Sequence, residues 1–243
     1  IVAAVEEGRT IFSNIRKFLR YLLSSNIGEV MTMFFGVLFA DAIGLIAAGA
    51  GGVVLPLLAT QLLWVNLVPD GAPALALGVD PAHEGVMARP PRPETEKVIT
   101  LKMWLGILQT GVVIAIGTLA VLDASLPGGF IEGSGTLSYA QTMAFTTLVF
   151  FSLFTVFCSR SDERSAFAGL ASNKWLCAGV VLSLVLQVAV IYTPFLQKAF
   201  STVPLAAGDW ALCFAVASTV LWIREGKKLL ERYSPHRVRS RCS

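Results

Sequence analysis

The sequence predicts an all-α integral membrane protein built as a six-helix transmembrane bundle. Of its 243 residues 55% are hydrophobic and only 14% are charged, whereas a soluble domain contains about 25% charged residues. The mean hydropathy is +0.69. A bilayer core of about 30 Å is crossed by about 20 helical residues. Apolar stretches of that length occur at 20–40, 54–77, 99–122, 139–158, 175–193 and 207–223.

The distribution of basic residues predicts how these spans are oriented. Lys and Arg are retained in cytoplasmic loops. All but one of the 19 Lys and Arg residues lie before or at the start of the first span, in the second-to-third and fourth-to-fifth connections or at their edges, or after the sixth span. Only Lys198 lies on the other side. Both termini are therefore expected in the cytoplasm, and the net charge of +3 reflects topology and gives no indication of nucleic-acid binding.

The first element is expected to be a helix that starts in the cytoplasm and continues into the first span. The stretch IFSNIRKFLRYLL, residues 11–23, places its apolar side chains at helical spacing. An interfacial anchor helix is the alternative, and it requires a turn before the span. No Gly or Pro occurs between Thr10 and Ile27, which favours a continuous stalk.

The connections follow the same topology. The Gly-rich segment 41–53 and the segments 126–138 and 193–209 are expected on the outer side, whereas the charged, Pro-rich segment 79–97 is expected in the cytoplasm. The cysteines form no CxxC pair and no cluster with His, so they are interpreted as packing thiols.

Polar side chains at two places within the spans indicate a cation site. Asn26 and Glu29 are three residues apart in the first span, with Gly28 between them giving room for another helix. Asn66 and Asp70 are four apart in the second span. A short hairpin makes these helices neighbours, and ionisable residues within spans usually mark an ion path because their insertion costs about 2.5 to 3.5 kcal/mol each.

Two prolines extend this prediction. Pro69 and Pro73 lack a backbone N–H, so the carbonyls of Val65 and Pro69 are expected to be free at the depth of Asp70. Carboxylates, amide oxygens and carbonyls are the ligands that Ca²⁺ prefers. Interhelical hydrogen bonding is the alternative for such residues. The remaining polar residues of the later spans are interpreted as packing contacts: Gln109, Thr146, Thr147, Ser152 and Gln187.

At this point the sequence resembles a known family. The stretch AVEEGRTIFSNIRKFLRYLLSSNIGEV, followed by QLLWVNLVPDGAPALALGVDPAHEGVMARPPRP, is similar to the membrane segment of the P-type cation-transporting ATPases, closest to the calcium pumps of the sarcoplasmic-reticulum type. The resemblance implies that the chain supplies the fifth to tenth membrane helices of such a pump. It implies three regions: 1–19, the end of the phosphorylation domain with a stalk helix; 20–223, the transmembrane domain; and 224–243, a basic cytoplasmic tail.

The resemblance also implies what lies elsewhere. The chain contains neither DKTG nor TGES nor a Walker-type loop, so it is not expected to be catalytic alone, and Mg²⁺ and ATP are expected to bind only in the full-length parent. The chain starts without Met and is interpreted as a fragment. Its expected partners are the lipid bilayer, the transported cation, and the N-terminal helices and cytoplasmic domains of that parent, in the plasma membrane.

The family's ion ligands are carried over position by position. The asparagine and glutamate of the fifth helix fall on Asn26 and Glu29, and the asparagine and aspartate of the sixth helix fall on Asn66 and Asp70. The threonine of the sixth helix is replaced by Pro69, and the glutamate of the eighth helix by Ser152. Both departures affect the same one of the family's two calcium positions. A single transported ion is therefore expected, with Glu29 as a ligand or as the carrier of a countertransported proton.

The leading hypothesis is ATP-driven transport of Ca²⁺ out of the cytoplasm. Pumps for Na⁺, H⁺ or Mn²⁺ share this scaffold and are the nearest alternative. A standalone six-span protein, acting as a passive channel or a non-catalytic assembly partner, is the alternative from another functional class.

Overall fold

The computed structural model describes residues 1–45, 54–81, 87, 98–131, 133–160 and 173–233. Within these residues every regular element is a helix, which confirms the predicted all-α class. The helices are α1 (Val2–Leu38), α2 (Ala59–Leu67), α3 (Gly71–Gly78), α4 (Leu101–Ala124), α5 (Leu137–Ser159), α6 (Lys174–Tyr192), α7 (Pro194–Phe200) and α8 (Ala207–Tyr233).

Four of these helices, α1, α4, α5 and α6, are long and apolar enough to cross a membrane. The second predicted span, 54–77, is divided between α2 and α3, and neither part alone is long enough. The sixth predicted span lies within α8, where Asp209 and Arg224 flank the apolar segment. Length and composition thus establish a helical membrane region with at least these four spans in the described residues.

Helix α1 is continuous from Val2 to Leu38, as expected from the absence of Gly and Pro between Thr10 and Ile27. From Thr10 to Gly36 one side of it is buried, and that side is mostly polar or small. The buried residues include Thr10, Asn14, Lys17, Tyr21, Ser25, Gly28, Glu29, Thr32 and Gly36. Their spacing of three or four residues is that of one helix face.

Side-chain caps begin three of the later helices. The side chains of Thr100, Thr136 and Asn173 accept hydrogen bonds from backbone N–H groups in the first turns of α4, α5 and α6. The segment 193–209 differs from the plain connection expected, because it contains the short helix α7. Pro194 starts α7 with its fixed φ angle, and Ser201 ends it in the left-handed conformation.

Helix α5 occupies the centre of the bundle. Every residue from Ala140 to Leu153 is buried, and α1, α4 and α8 all pack against it. Three of its hydroxyl groups are satisfied within the helix: Thr142 donates to the Ser138 carbonyl (2.7 Å), Thr146 to the Thr142 carbonyl (2.8 Å), and Thr147 to the Met143 carbonyl (2.8 Å). Burial on all sides therefore leaves these polar groups paired.

Helices α1 and α4 approach closely through glycine. A Cβ atom on Gly28 would lie 2.7 Å from Ile114 Cγ2, and one on Gly111 would lie 2.7 Å from Ile27 Cγ2. The predicted role of Gly28 in admitting another helix is confirmed, and α4 is that helix. The outer sides of α4 and α6 expose large apolar side chains, including Leu105, Ile116, Val181 and Val185, as expected of surfaces that face lipid.

Residues 46–53 of the predicted outer turn, most of the predicted connection 79–97, and the predicted tail beyond Tyr233 lie outside the described residues. Helix α8 continues past Arg224 without a break.

Candidate cation site

The second predicted span is broken at Pro69. Helix α2 ends at Leu67 and α3 begins at Gly71, and Pro69 has no N–H to donate back to the Val65 carbonyl. The N–H of Asp70 donates to the Val65 carbonyl instead (3.0 Å). The chain thus makes a wider turn at this point, and Asp70 becomes the N-cap residue of α3.

The two carbonyls predicted to be free both have partners, so that prediction was wrong. The Val65 carbonyl accepts from Asp70 N, and the Pro69 carbonyl accepts from the Tyr21 hydroxyl (2.8 Å). The physical reason is that a buried carbonyl without a donor is costly. The wider turn supplies one donor and the neighbouring helix α1 supplies the other.

Asp70 is fully buried at this break. Its Oδ1 lies 3.1 Å from the Tyr21 hydroxyl, and the hydroxyls of Ser25 and Ser152, 2.9 Å from each other, flank its carboxyl group. Its Oδ2 is buried without a well-aligned hydrogen-bond partner. One carboxylate oxygen is therefore tethered by α1, and the other is the better placed to bind a cation.

Glu29 and Asn66 meet across α1 and α2. The Asn66 amide Nδ2 donates to Glu29 Oε2 (2.6 Å) and to the Leu62 carbonyl (3.0 Å). Glu29 is 5% exposed, and its Oε1 is buried without a hydrogen-bond partner. The predicted proximity of these two residues is thus observed, and Asp70 is close enough to Glu29 for their carboxyl groups to interact electrostatically.

Asn26 lies on the exposed side of α1, where its Nδ2 donates to the Leu22 carbonyl of its own helix (2.8 Å). Together with Glu29 and Asn66 it lines a groove of about 650 Å³ between α1 and α2. Asp70 is not among the residues that line this groove. The structure therefore brings three of the four predicted ligands to one open groove and places the fourth at the buried helix break.

The rest of the groove is apolar and open. Its walls include Val30, Phe34, Val37 and Leu38 of α1, and Phe34 is 61% exposed. Carboxylate and amide groups also line this groove. Such groups need polar partners in a membrane, so the groove is not a surface that faces lipid.

The site offers hard oxygen atoms to a cation. Both amide nitrogens are held by hydrogen bonds, which leaves the oxygens of Asn26 and Asn66 available to a cation. Glu29 Oε1 and Asp70 Oδ2 are also unpaired. Ca²⁺ takes six to eight such ligands, so these side chains account for part of a coordination sphere. In the described ranges no three His, Cys, Asp or Glu residues cluster in a way that could hold a metal ion by themselves.

Sequence reasoning missed two residues of the site and misjudged a third. Tyr21 binds the Pro69 carbonyl at the helix break, and Ser25 lies beside the Asp70 carboxyl group. Ser152, which was interpreted as a packing residue, pairs with Ser25 at the same place. The signal available in the sequence was the spacing of Tyr21, Ser25 and Glu29 at intervals of four, which is one face of α1.

Comparison with known proteins identifies the family of the chain. Residues 54–230 match the family model described as cation transporting ATPase, C-terminus. The chain is 38% identical to the calcium-transporting ATPase of Bacillus subtilis over 232 residues, which are 96% of this chain and 24% of that protein. It is 36% identical to calcium-transporting ATPase 1 of Yarrowia lipolytica over 229 residues, 94% of this chain and 23% of that protein.

A human relative shows the same coverage. Calcium-transporting ATPase type 2C member 1 of Homo sapiens is 36% identical over 235 residues, which are 96% of this chain and 24% of that protein. The chain thus spans about a quarter of the length of the relatives it matches. On the combined basis of the family match, the identities and the helical membrane fold, the chain belongs to the P-type cation-transporting ATPases and corresponds to their C-terminal membrane region.

Proposed function

We propose that this chain forms the cation-translocating membrane part of a pump that moves Ca²⁺ out of the cytoplasm, driven by ATP hydrolysis in domains outside the chain. The observation that supports this most directly is the contact of Glu29 with Asn66 (2.6 Å) beside Asp70 at a broken helix. Paired acids at a break within a membrane region provide a pathway for cations. The names of the relatives indicate calcium as the ion.

In this proposal Asp70 and Asn66 are the principal ligands, and Glu29 and Asn26 contribute further oxygens. The groove between α1 and α2 is covered in the complete pump by helices that precede this chain, which also supply the missing ligands. The exposed apolar side chains of the groove, such as Phe34, support this because they offer a helix-sized surface beside the polar groups.

A single calcium ion per cycle is proposed. The second calcium position of the family needs oxygen at positions 69 and 152. Pro69 has no side-chain oxygen, and the Ser152 hydroxyl is engaged with that of Ser25 at 2.9 Å. A short neutral side chain in a hydrogen-bonded pair is a poor substitute for a carboxylate as a calcium ligand.

The proposed topology has six spans with both termini in the cytoplasm, in the plasma membrane. Helices α2 and α3 together form the second span and the apolar part of α8 forms the sixth. Residues 1–19 are proposed as the end of the phosphorylation domain with the stalk helix, 20–223 as the transmembrane domain and 224–243 as a basic tail.

Mg²⁺ and ATP act in the missing cytoplasmic domains. Phosphorylation there displaces the stalk and switches the site between two access states.

The proposal is tested in vesicles that contain the complete pump, by ATP-dependent uptake of radioactive calcium. Asp70→Asn removes one carboxylate charge with little change in shape. Asp41→Asn is the matched control, because Asp41 is an exposed carboxylate at the end of α1. We expect uptake to be lost in the first variant and retained in the second, with both proteins inserted in equal amounts.

Other outcomes would contradict the proposal in distinct ways. Wild-type vesicles whose ATPase responds to Na⁺ or Mn²⁺ but not to Ca²⁺ would overturn the choice of ion. Calcium entry that needs no ATP would indicate a passive channel. Full uptake by Asp70→Asn would remove Asp70 from the site.

A further inference from the structure

A buried ion cluster lies at the end of α3 opposite the cation site. The Asp80 carboxylate accepts hydrogen bonds from Lys17 Nζ (2.6 Å), Arg160 Nη2 (3.1 Å) and Asn173 Nδ2 (3.0 Å). Asp80 is 2% exposed, and Lys17 and Arg160 are also buried. The cluster joins α1, the chain that follows α3, the end of α5 and the start of α6.

Helix α1 is also attached to the backbone at this end of α3. The Asn14 amide Nδ2 donates to the Asp80 carbonyl (2.8 Å) and to the Gly78 carbonyl (3.3 Å). Lys17 Nζ donates to Asn14 Oδ1 (3.0 Å), so the two α1 side chains support one another. The carbonyl of Gly78, the last residue of α3, has no partner within the helix and is thus bound by α1, as is the Asp80 carbonyl just beyond it.

The opposite end of α3 is attached to the same face of α1. There the Tyr21 hydroxyl binds the Pro69 carbonyl and contacts Asp70. Lys17 and Tyr21 are four residues apart and therefore share a helix face. Since α3 is bound to α1 at both ends, a displacement of α1 carries α3 and the Asp70 carboxyl group with it.

Two buried cations pair with the single Asp80 carboxylate, although one would balance its charge. Burial alone raises the pKa of Asp80, but the hydrogen bond and charge of Lys17, with Asn173 and Arg160, lower it below its ordinary value. A buried carboxylate needs a partner, and either cation alone provides one. The two cations differ in where they lead: Arg160 attaches α3 to the end of α5, whereas Lys17 attaches it to α1, which continues as a helix back to Val2.

We propose that the Lys17–Asp80 ion pair is the contact through which the stalk part of α1 positions α3, and that this pair keeps ATP hydrolysis coupled to movement of the ion. Lys17 and Asp80 are positioning residues and do not bind the ion. This inference rests on the proposed function and adds to it a specific residue pair for energy coupling.

The test compares two substitutions that change the charge of the cluster equally. Lys17→Met leaves Asp80 paired with Arg160 and Asn173, and Arg160→Met leaves it paired with Lys17 and Asn173. Both variants keep a paired carboxylate, so both are expected to fold. Calcium uptake and ATP hydrolysis are measured in the same vesicles of the complete pump, and their ratio is calculated. The ratio does not depend on the amount of folded pump, so a merely structural role leaves it unchanged.

We expect Lys17→Met to lower the ratio of calcium transported to ATP hydrolysed by about twofold or more. The ratio should stay close to the wild-type value in Arg160→Met. It should also stay close to that value in Lys17→Arg, which keeps the positive charge. An unchanged ratio in Lys17→Met would overturn the inference, and so would an equal loss in both Met variants, because the tie to α1 would then have no special role. Absence of ATP-driven calcium uptake in the wild type would instead overturn the proposed function, and the coupling role with it.

Discussion

Replacing Gly28 with alanine is expected to destabilise the membrane domain by forcing α1 and α4 apart. The added Cβ atom would lie 2.7 Å from Cγ2, 2.8 Å from Cβ and 3.0 Å from Cδ1 of Ile114. Carbon atoms in contact are normally about 3.5 to 4.0 Å apart. Rotation of the Ile114 side chain does not relieve the contact with its Cβ atom, so the two helices must separate locally by about 1 Å.

The expected cost follows from comparison with Gly8 of the same helix. Overpacking of this kind costs about 1 to 3 kcal/mol, while alanine stabilises a helix interior by about 1 kcal/mol relative to glycine. A Cβ atom on Gly8 meets nothing within 4 Å, so Gly8→Ala contributes only the second term. The two variants should therefore differ in stability by about 1 to 3 kcal/mol, with Gly28→Ala the less stable.

The assay is thermal inactivation of calcium-stimulated ATPase activity in the complete pump. The substitution is also made in a pump that carries Ile114→Ala, which removes two of the three crowded atoms, Cγ2 and Cδ1. Gly28→Ala should lower the stability of that variant less than it lowers the stability of the wild type. Because Glu29 follows directly, we also expect weaker calcium binding by Gly28→Ala. Equal midpoints for Gly28→Ala and Gly8→Ala, or an equal cost in both backgrounds, would refute the reasoning.

Two further predictions concern stoichiometry and pH. Calcium bound per phosphoenzyme in the complete pump should be close to one, because Pro69 has no side-chain oxygen and the Ser152 hydroxyl, which is paired with Ser25, is a poor substitute for a carboxylate; a value close to two would contradict this. The pKa of Asp80 is lowered in the folded protein, so its ionised carboxylate stabilises the fold. This stabilisation is fully present above the pKa of Asp in the unfolded chain, about 3.9, and is lost as the pH falls through the pKa of Asp80 in the folded protein. The difference in thermal stability between wild type and Asp80→Asn should therefore stay constant from neutral pH to about pH 5, and a loss within that interval would contradict it.

Much of the helical organisation is predictable because it follows from local patterns. The passage of α1 from stalk to span follows from the absence of Gly and Pro between Thr10 and Ile27, and the starts of α4 to α6 coincide with Thr or Asn residues that cap helices. The contact of Glu29 with Asn66 was also predictable, because a short hairpin brings the two spans together and both residues are polar positions within them.

The contacts at the helix break were not predictable in the same way. A proline shows that a hydrogen bond is missing but not how the chain compensates, and here Asp70 N and Tyr21 provide the donors. The Ser25–Ser152 pair joins residues 127 positions apart, and Asp80 lies in a segment that reads as a polar connection. Each of these contacts depends on how α1, α3 and α5 are rotated relative to one another, which no local pattern specifies.

The internal hydrogen bonds of α5 have a consequence for how the bundle is assembled during membrane insertion. A central helix rich in hydroxyl groups would be poorly tolerated by lipid if those groups waited for partners from other helices. Because Thr142, Thr146 and Thr147 donate to carbonyls of their own helix, α5 can enter the bilayer alone with these groups already satisfied. Ser152 and Gln141 of the same helix pair instead with Ser25 and with the Leu55 carbonyl, so these two wait for α1 and for the segment before α2 to pack against α5.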